Sequence, residues 1–389
     1  IYHIEGNIEA NPYGDLAALL EDDSLEEVMY NGGTQCVKVA HRDHGMCRTN
    51  VWIDDADGLQ IATNIASFTN VPLGDGPGAV PIFDGRLPDG SRVNGTIPPV
   101  SPDGPTLTIR KFKEDPLTMI DLINFGTVNL RLAAMMWVWI EGLDSRPANF
   151  VIAGGTGSGK TTTLNCLGMY IPWHRRLLTV EDTAELQVYH DHWLRMETRR
   201  ERPDGTPEVD MNDCLKSSLR MRPDRIIVGE VRGSEAATLL TAMNTGHDGS
   251  FGSLHANTAQ ETVTRMINPP MSVPPIMLTG LDLIIIQARL HVNGRTARKI
   301  TEVAEVAGME GDKPRLNAIW KYDAARDEIV ETGIPSQFRE TICNAAGVTP
   351  EVFEQHVQQR MAILADLQRR DIRDIQTVTS IIQNFYATR

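Results

Sequence analysis

The 389-residue sequence predicts an α/β protein, with a smaller α+β domain before the main body and a helical appendage after it. Three observations predict this. Phe150-Val151-Ile152-Ala153 is an apolar strand that runs through a glycine-rich loop into a helical pattern ending near Tyr170. From Leu177 to Ile267, continuous apolar strands alternate with helical patterns, as expected of a mostly parallel sheet covered on both faces. Beyond residue 335, apolar residues recur at helical spacing.

Taken in order, Leu16, Leu19, Leu20, Leu25 and Val28 read as helix faces in an acidic stretch. Gln35–Ala40 and Met46–Ile53 alternate like a hairpin around Asp43-His44-Gly45, and Leu59–Phe68 is an amphipathic helix. Residues 72–105 hold seven glycines and eight prolines, so they read as a loop-rich hairpin with strand pieces at Pro81–Leu87 and Ser91–Ile97. Thr106–Phe112 is a strand carrying Arg110, and Asp115-Pro116 breaks the pattern.

Helices follow over residues 117–149, the second of them rich in Met and Trp and suited to a core. Later strands are expected at Leu177–Glu181, Leu186–Met196, Arg225–Val228 and Gly252–Ala256. Helices are expected at Asp210–Arg220, Ser234–Met243 and Thr258–Ile267, with Asp210 and Ser234 as N-caps. Asp282–Arg289, Ile300–Val306 and Ala318–Tyr322 read as an antiparallel extension. Thr349-Pro350 starts a terminal helix, and a second helix carries Ile372 to Phe385.

The loop itself has the full pattern Gly-x-x-x-x-Gly-Lys-Thr, from Gly154 to Gly159, Lys160 and Thr161. Glycines let the backbone turn its N–H groups inward around an anion, and the helix start adds positive potential. Gly155, Thr156, Gly157, Ser158, Gly159, Lys160, Thr161 and Thr162 are therefore candidates to hold a nucleoside triphosphate. Lys160 would bridge the β- and γ-phosphates, and the Thr161 hydroxyl would ligate Mg²⁺.

Hydrolysis needs a carboxylate at a strand end near the metal. The strand Ile226-Ile227-Val228 leads to Glu230, seventy residues after Lys160. Thr179-Val180-Glu181-Asp182 offers a second acidic strand end, with Glu181 the stronger candidate. His255 follows a strand and can sense a γ-phosphate, with His247 a weaker candidate. Arg195, Arg199, Arg200, Arg202, Arg220 and Arg222 crowd the region before Glu230. Most read as solvated charges, and one or two of them as arginine fingers.

The composition, 41% hydrophobic and 23% charged, is that of a globular protein. A net charge of −14 argues against a surface built to bind nucleic acid. The five cysteines stand at no zinc-ligand spacing and read as reduced thiols. No signal peptide and no bilayer-spanning run is read from the sequence, and because it opens at Ile1 without methionine, whether the native N-terminus is longer stays open.

Four motifs in order carry a resemblance: GGTGSGKTTTLN, LLTVEDTAEL, RPDRIIVGEVRGSEA and GHDGSFGSLHANTA. They are similar to the Walker A, Asp box, Walker B and His box of the type II/IV secretion and type IV pilus ATPases. DGRLPDGSRVNGTIPP and TLTIRKF resemble the end of that family's N-terminal domain. The stretch LDLIIIQARLHVNGRTARKITEVAEVAG is similar to the archaeal branch, which includes the archaellum motor.

The resemblance implies a RecA-like motor domain and the cofactors ATP and Mg²⁺. It implies metal or water roles for Glu230 and Glu181, and a sensor role for His255. The family holds its nucleotide between two domains, which implies that Arg86, Arg92 or Arg110 reaches the phosphates and that Phe112–Leu117 lies near the adenine. It also implies a homohexamer acting on a polytopic membrane platform protein from the cytoplasmic face, with no nucleic acid and no direct membrane insertion. The filament or exported substrate is left open. The alternative is a RecA-like nucleic-acid translocase or helicase; a phosphate-loop kinase and a ring without turnover are further rivals. The implied division is an N-terminal α+β domain over 1–113, a linker over 114–120, the ATPase domain over 121–335 and a helical subdomain over 336–389.

Overall fold

The computed structural model describes residues 11–42, 44–69, 71–112, 116–201, 205–292, 294–311 and 313–388. The expected linker at 114–120 falls partly outside these residues, as do the candidate Arg202 and Asp43 of the first hairpin turn. The chain divides into two compact units. One is Ile1–Glu114 with Glu201–Pro207; the other is Asp115–Arg200 with Glu208–Arg389.

In the first unit, α1 (Ala17–Glu21) precedes β1 (Leu25–Asn31), β2 (Lys38–His41) and β3 (Gly45–Arg48). Then come α2 (Asp55–Phe68), β4 (Ile82–Arg86), β5 (Arg92–Thr96) and β6 (Thr106–Arg110). Among the described residues these strands form one antiparallel sheet in the order β3-β2-β1-β6-β5-β4. Its buried face, with Val28, Tyr30, Val93, Leu107 and Ile109, packs with Ile61, Ala62 and Ile65 of α2.

Leu25 and Val28, expected on a helix, lie on β1. A bulge between Leu25 and Glu27 inserts one extra residue, so two core-facing side chains stand three apart and imitate helical spacing.

The second unit begins with α3 (Met119–Asn124) and α4 (Leu130–Glu141). It continues through β7 (Phe150–Ala153), α5 (Lys160–Gly168), β8 (Leu177–Glu181), β9 (Trp193–Glu197) and α6 (Met211–Ser218). Next are β10 (Arg225–Val228), α7 (Glu235–Asn244), β11 (Phe251–Leu254), α8 (Ala259–Ile267), β12 (Leu283–Val292), β13 (Arg295–Glu310), β14 (Lys313–Asp323) and β15 (Glu328–Glu331). The helices α9 (Gln337–Ala346), α10 (Pro350–Arg369) and α11 (Ile375–Ala387) close it.

The described strands form one sheet in the order β15-β14-β13-β12-β7-β11-β10-β8-β9. It is parallel from β12 to β9 and antiparallel from β12 to β15. Alternate residues of β7 feed opposite cores. Phe150 and Ile152 pack with α4, α5 and the terminal helices, while Val151 and Ala153 pack with α6, α7 and α8.

Three local expectations change. The strand expected from Leu186 begins only at Trp193, β15 was not foreseen, and Ser234 makes no side-chain cap. The Glu235 carboxylate instead accepts from the N–H groups of Arg232 and Gly233 at 2.5 and 2.7 Å. Asp210 does cap α6, accepting from the Asp213 N–H at 2.7 Å.

At the foot of β12, the Asp282 carboxylate accepts from the Asn149 N–H at 2.7 Å and from Arg146 at 3.2 Å. Burial outweighs Arg146 and lifts the carboxyl from 3.8 to about 6. A raised acid binds its proton more tightly folded than unfolded. Its stabilising effect is therefore full below 3.8 and lost as pH rises through about 6. Asp282→Asn is expected to gain stability relative to wild type over that window, by about 2–3 kcal/mol. Denaturation midpoints of both proteins at a series of pH values test this; a difference that does not change with pH would contradict it.

Candidate phosphate and carboxylate site

Strand order assembles the site. β11 lies between β7 and β10, with Leu254 paired to Ala153 and Gly252 to Val228. The three strands are parallel, so their C-terminal ends deliver the glycine loop, His255 and Glu230 side by side.

The loop is tightly seated. A Cβ on Gly154 would run into the Gln287 carbonyl of β12, and Gly159 has φ +94°, a conformation that glycine adopts without strain. The Lys160 ammonium, 8% exposed, donates to the loop's own carbonyls, Gly154 at 2.9 Å and Gly155 at 3.1 Å. Burial lowers its pKa, and Glu230 partly opposes that.

Lys160 Nζ also makes a long contact of 3.5 Å with His255 Nδ1, while His255 Nε2 stands 3.0 Å from Glu230 Oε1. An ammonium can only donate, so Nδ1 accepts and the ring proton belongs on Nε2, on the side of the ring that faces Glu230. The other Glu230 oxygen accepts from Arg232 at 2.7 Å, and Arg232 also reaches Asp182 at 3.2 Å. Burial pushes the Glu230 carboxyl up. The Arg232 hydrogen bond and charge, then His255 and Lys160, outweigh burial and leave it below its ordinary value. Glu230 is thus ionised at neutral pH, with Oε2 bonded to Arg232 and Oε1 buried without a hydrogen bond among the described residues, at ion-pair distance from His255.

Glu181 ends β8 and is 2% exposed. Its Oε1 accepts from the N–H groups of Glu185 and Leu186 at 2.8 and 2.9 Å, which shapes the turn after the strand. Its Oε2 is buried without a partner among the described residues. Burial raises its pKa against those two hydrogen bonds and Arg195.

Other candidates fall elsewhere. His247 closes the end of α7 at the start of β11, the opposite end from His255, because its N–H donates to Ala242. Arg195 lies over the Trp193 ring, 4.8 Å from its centre. Arg86, Arg92 and Arg110 belong to the first unit, where the register sets Arg86 opposite Arg92 and Arg92 opposite Arg110. Three arginines therefore line up across three adjacent strands.

A family model described as "Type II/IV secretion system protein" matches residues 77–378. The chain belongs to that family. As a type II/IV secretion ATPase it is 32% identical to "Uncharacterized protein MJ0781" of Methanocaldococcus jannaschii, over 96% of this chain and 75% of that protein. It is 35% identical to "Conjugal transfer protein TrbB" of Rhizobium radiobacter, over 75% of this chain and 87% of the other. Among solved structures, the Legionella pneumophila ATPase DotB superposes with a TM-score of 0.51 at 18% identity, over 94% of this chain and 93% of that one. That likeness supports the fold alone, a RecA-like ATPase domain.

Members of this ATPase family bind nucleotide, and the residues present fit Mg²⁺-nucleotide. Ser158 Oγ is buried inside the loop without a partner among the described residues, as is Glu181 Oε2. Lys160 spends its donors on loop carbonyls, which a phosphate would replace with a charged acceptor.

Three residues near this site were passed over in reading the sequence. Arg232 stands two residues beyond Glu230, and its alternation with Glu230 was a usable signal. Gln287 is an amide directly after the apolar run Leu283–Ile286, and it accepts from the Thr163 hydroxyl at 2.8 Å. Arg298 donates from Nε to the Gly157 carbonyl at 3.0 Å. Nothing local in the sequence marks Arg298, because only the β12–β13 pairing brings it to the loop.

Proposed function

We propose that this protein hydrolyses ATP and, as a homohexameric ring, drives assembly of a type IV pilus-like or archaellum filament, or protein export, through a polytopic membrane platform protein. The observation that carries the reading is the linked set Lys160, His255 and Glu230 at three adjacent strand ends. Mg²⁺, when bound, would supply positive charge that offsets the charge of the phosphates. The loop N–H groups and Lys160 hold the phosphates, and Thr161, Glu230 and Glu181 are the metal-facing oxygens.

Lys160 must leave the Gly154 and Gly155 carbonyls to meet a phosphate, and in doing so it alters its contact with His255. His255 then passes the presence of phosphate to Glu230, whose Oε1, without a hydrogen bond among the described residues, orients the attacking water. Arg86, Arg92 and Arg110 line up across three adjacent strands, with Arg110 also 3.8 Å from Glu27, and this concentration of guanidinium groups supports an anion-facing role for the first unit.

The division at 1–113, 114–120, 121–335 and 336–389 forms part of this reading, with the N-terminal domain moving against the motor domain. No described helix is long and apolar enough to cross a membrane. In this reading the protein acts from the cytoplasmic face through protein partners. Relatives named for conjugal transfer and for a type IV secretion system support a membrane apparatus.

The test is ATPase rate per subunit against protein concentration, with light scattering on the same samples and Lys160→Ala as control. The rate is expected to climb as a six-subunit species forms and to vanish in Lys160→Ala. Full turnover in the monomer would sink the ring mechanism, and turnover surviving Lys160→Ala would sink the site.

A further inference from the structure

We propose that Arg289 and Arg298, opposed on the β12–β13 hairpin, form a second contact for the phosphates of the nucleotide held by the loop of the same chain. This rests on the nucleotide-binding reading above and adds residues that none of the four motifs contains.

The register carries the argument. β12 pairs with β7 only from Leu283 to Ile286, so the hairpin continues past the end of β7 beside the glycine loop. Two side chains reach the loop from there. Arg298 donates from Nε to the Gly157 carbonyl, and an Arg289 guanidinium nitrogen lies 3.9 Å from where a Gly157 Cβ would stand.

Arg289 and Arg298 are paired residues on adjacent strands, both exposed, and like charges so placed oppose hairpin formation. From Leu283 to Thr301 the sequence has no carboxylate at all, in a chain of net charge −14. Among the described residues Arg289 has no hydrogen bond or ion pair, and Arg298 has only the Gly157 carbonyl. Neighbouring Lys299, by contrast, is paired with Asp327 at 3.1 Å.

Guanidinium geometry then suggests the role. Arg presents five N–H donors in a rigid fork. With Nε fixed on Gly157, the Arg298 terminal nitrogens remain free at the rim of an anion-binding loop. An anion there would screen the Arg289–Arg298 repulsion and accept from both forks. The anion that the loop itself selects is a polyphosphate.

The test measures binding, not turnover, by calorimetry on the full chain. The ligands are ATP, ADP, AMP and inorganic tripolyphosphate, and the proteins are wild type, Arg289→Gln, Arg298→Gln, the double variant and Lys160→Ala. Each single substitution is expected to weaken ATP and tripolyphosphate by about tenfold, and the double variant by more than either, as for charged hydrogen bonds. AMP binding should move little, and the nucleotide-free melting temperature should stay level or rise.

If Arg298 merely braces the loop, Arg298→Gln lowers the nucleotide-free melting temperature, weakens every ligand equally and leaves Arg289→Gln silent; that pattern overturns the proposal. Wild-type binding lost in Lys160→Ala but untouched in both arginine variants also overturns it, while the nucleotide site stands. Failure of wild type to bind either ATP or tripolyphosphate removes both readings.

Discussion

Glu230→Gln is expected to lower ATP turnover by about 10²–10⁴-fold while ATP affinity stays within a few-fold of wild type. The geometry sets both halves of this expectation. Glu230 follows β10, one strand removed from the loop strand, and contacts Lys160 only through His255. Its loss leaves the loop N–H groups and Lys160 in place, so binding persists. The carboxyl is held below its ordinary value by Arg232, His255 and Lys160 against burial, so in the proposed role it would serve as a fixed anion that aligns water. Gln keeps the shape and one acceptor but removes the charge, and its amide N–H₂ meets either Arg232 or His255 with a donor against a donor. Single-turnover phosphate release with parallel nucleotide titration decides the matter. Turnover within tenfold of wild type would show that another group orients the water.

The second large effect concerns folding. Arg360 of α10 and Glu141 at the end of α4 are both fully buried and hydrogen-bonded, with Arg360 Nε donating to Glu141 at 3.1 Å. The guanidinium also donates to the His356 carbonyl at 2.7 Å and lies over the rings of Phe385 and Trp137, 4.9 and 5.6 Å from their centres. Beside it, Trp137 donates to the Tyr386 hydroxyl at 2.6 Å, and Tyr386 to the Tyr170 carbonyl at 2.7 Å.

This polar knot joins α4, α10 and α11 inside an apolar core. Arg360→Met strands a buried carboxylate and is expected to cost about 3–5 kcal/mol. The double variant Arg360→Met with Glu141→Leu removes both charges and should recover most of that loss, since a well-packed apolar pair is often as stable as a buried ion pair. Denaturant midpoints of the three proteins test this. Single and double variants equally destabilised would mean that shape, not charge, dominates here.

Much of the architecture was legible because its signals are local. The glycine loop, its strand and its helix are contiguous, so one window contains the phosphate cradle. The alternation of buried strands and helices reads off as a parallel sheet, because strands covered on both faces are apolar throughout. Local windows failed where one residue changed the phase or where side chains compete. The bulge in β1 made Leu25 and Val28 look helical, and the Glu235 carboxylate ties down the turn before α7 where Ser234 was expected to cap it.

By itself, the sequence determined the α/β class, the Gly154–Thr161 cradle and the pairing of that cradle with an acidic strand end at Glu230. Tertiary structure alone decided which side chains meet there. The order β12-β7-β11-β10 departs from chain order. It sets His255 between Lys160 and Glu230, turns His247 away to the far end of β11, and carries Gln287, Arg289 and Arg298 to the loop. Hydrophobic periodicity specifies which face of a strand is buried but not which strand lies beside it. That choice comes from packing the whole sheet between its helices.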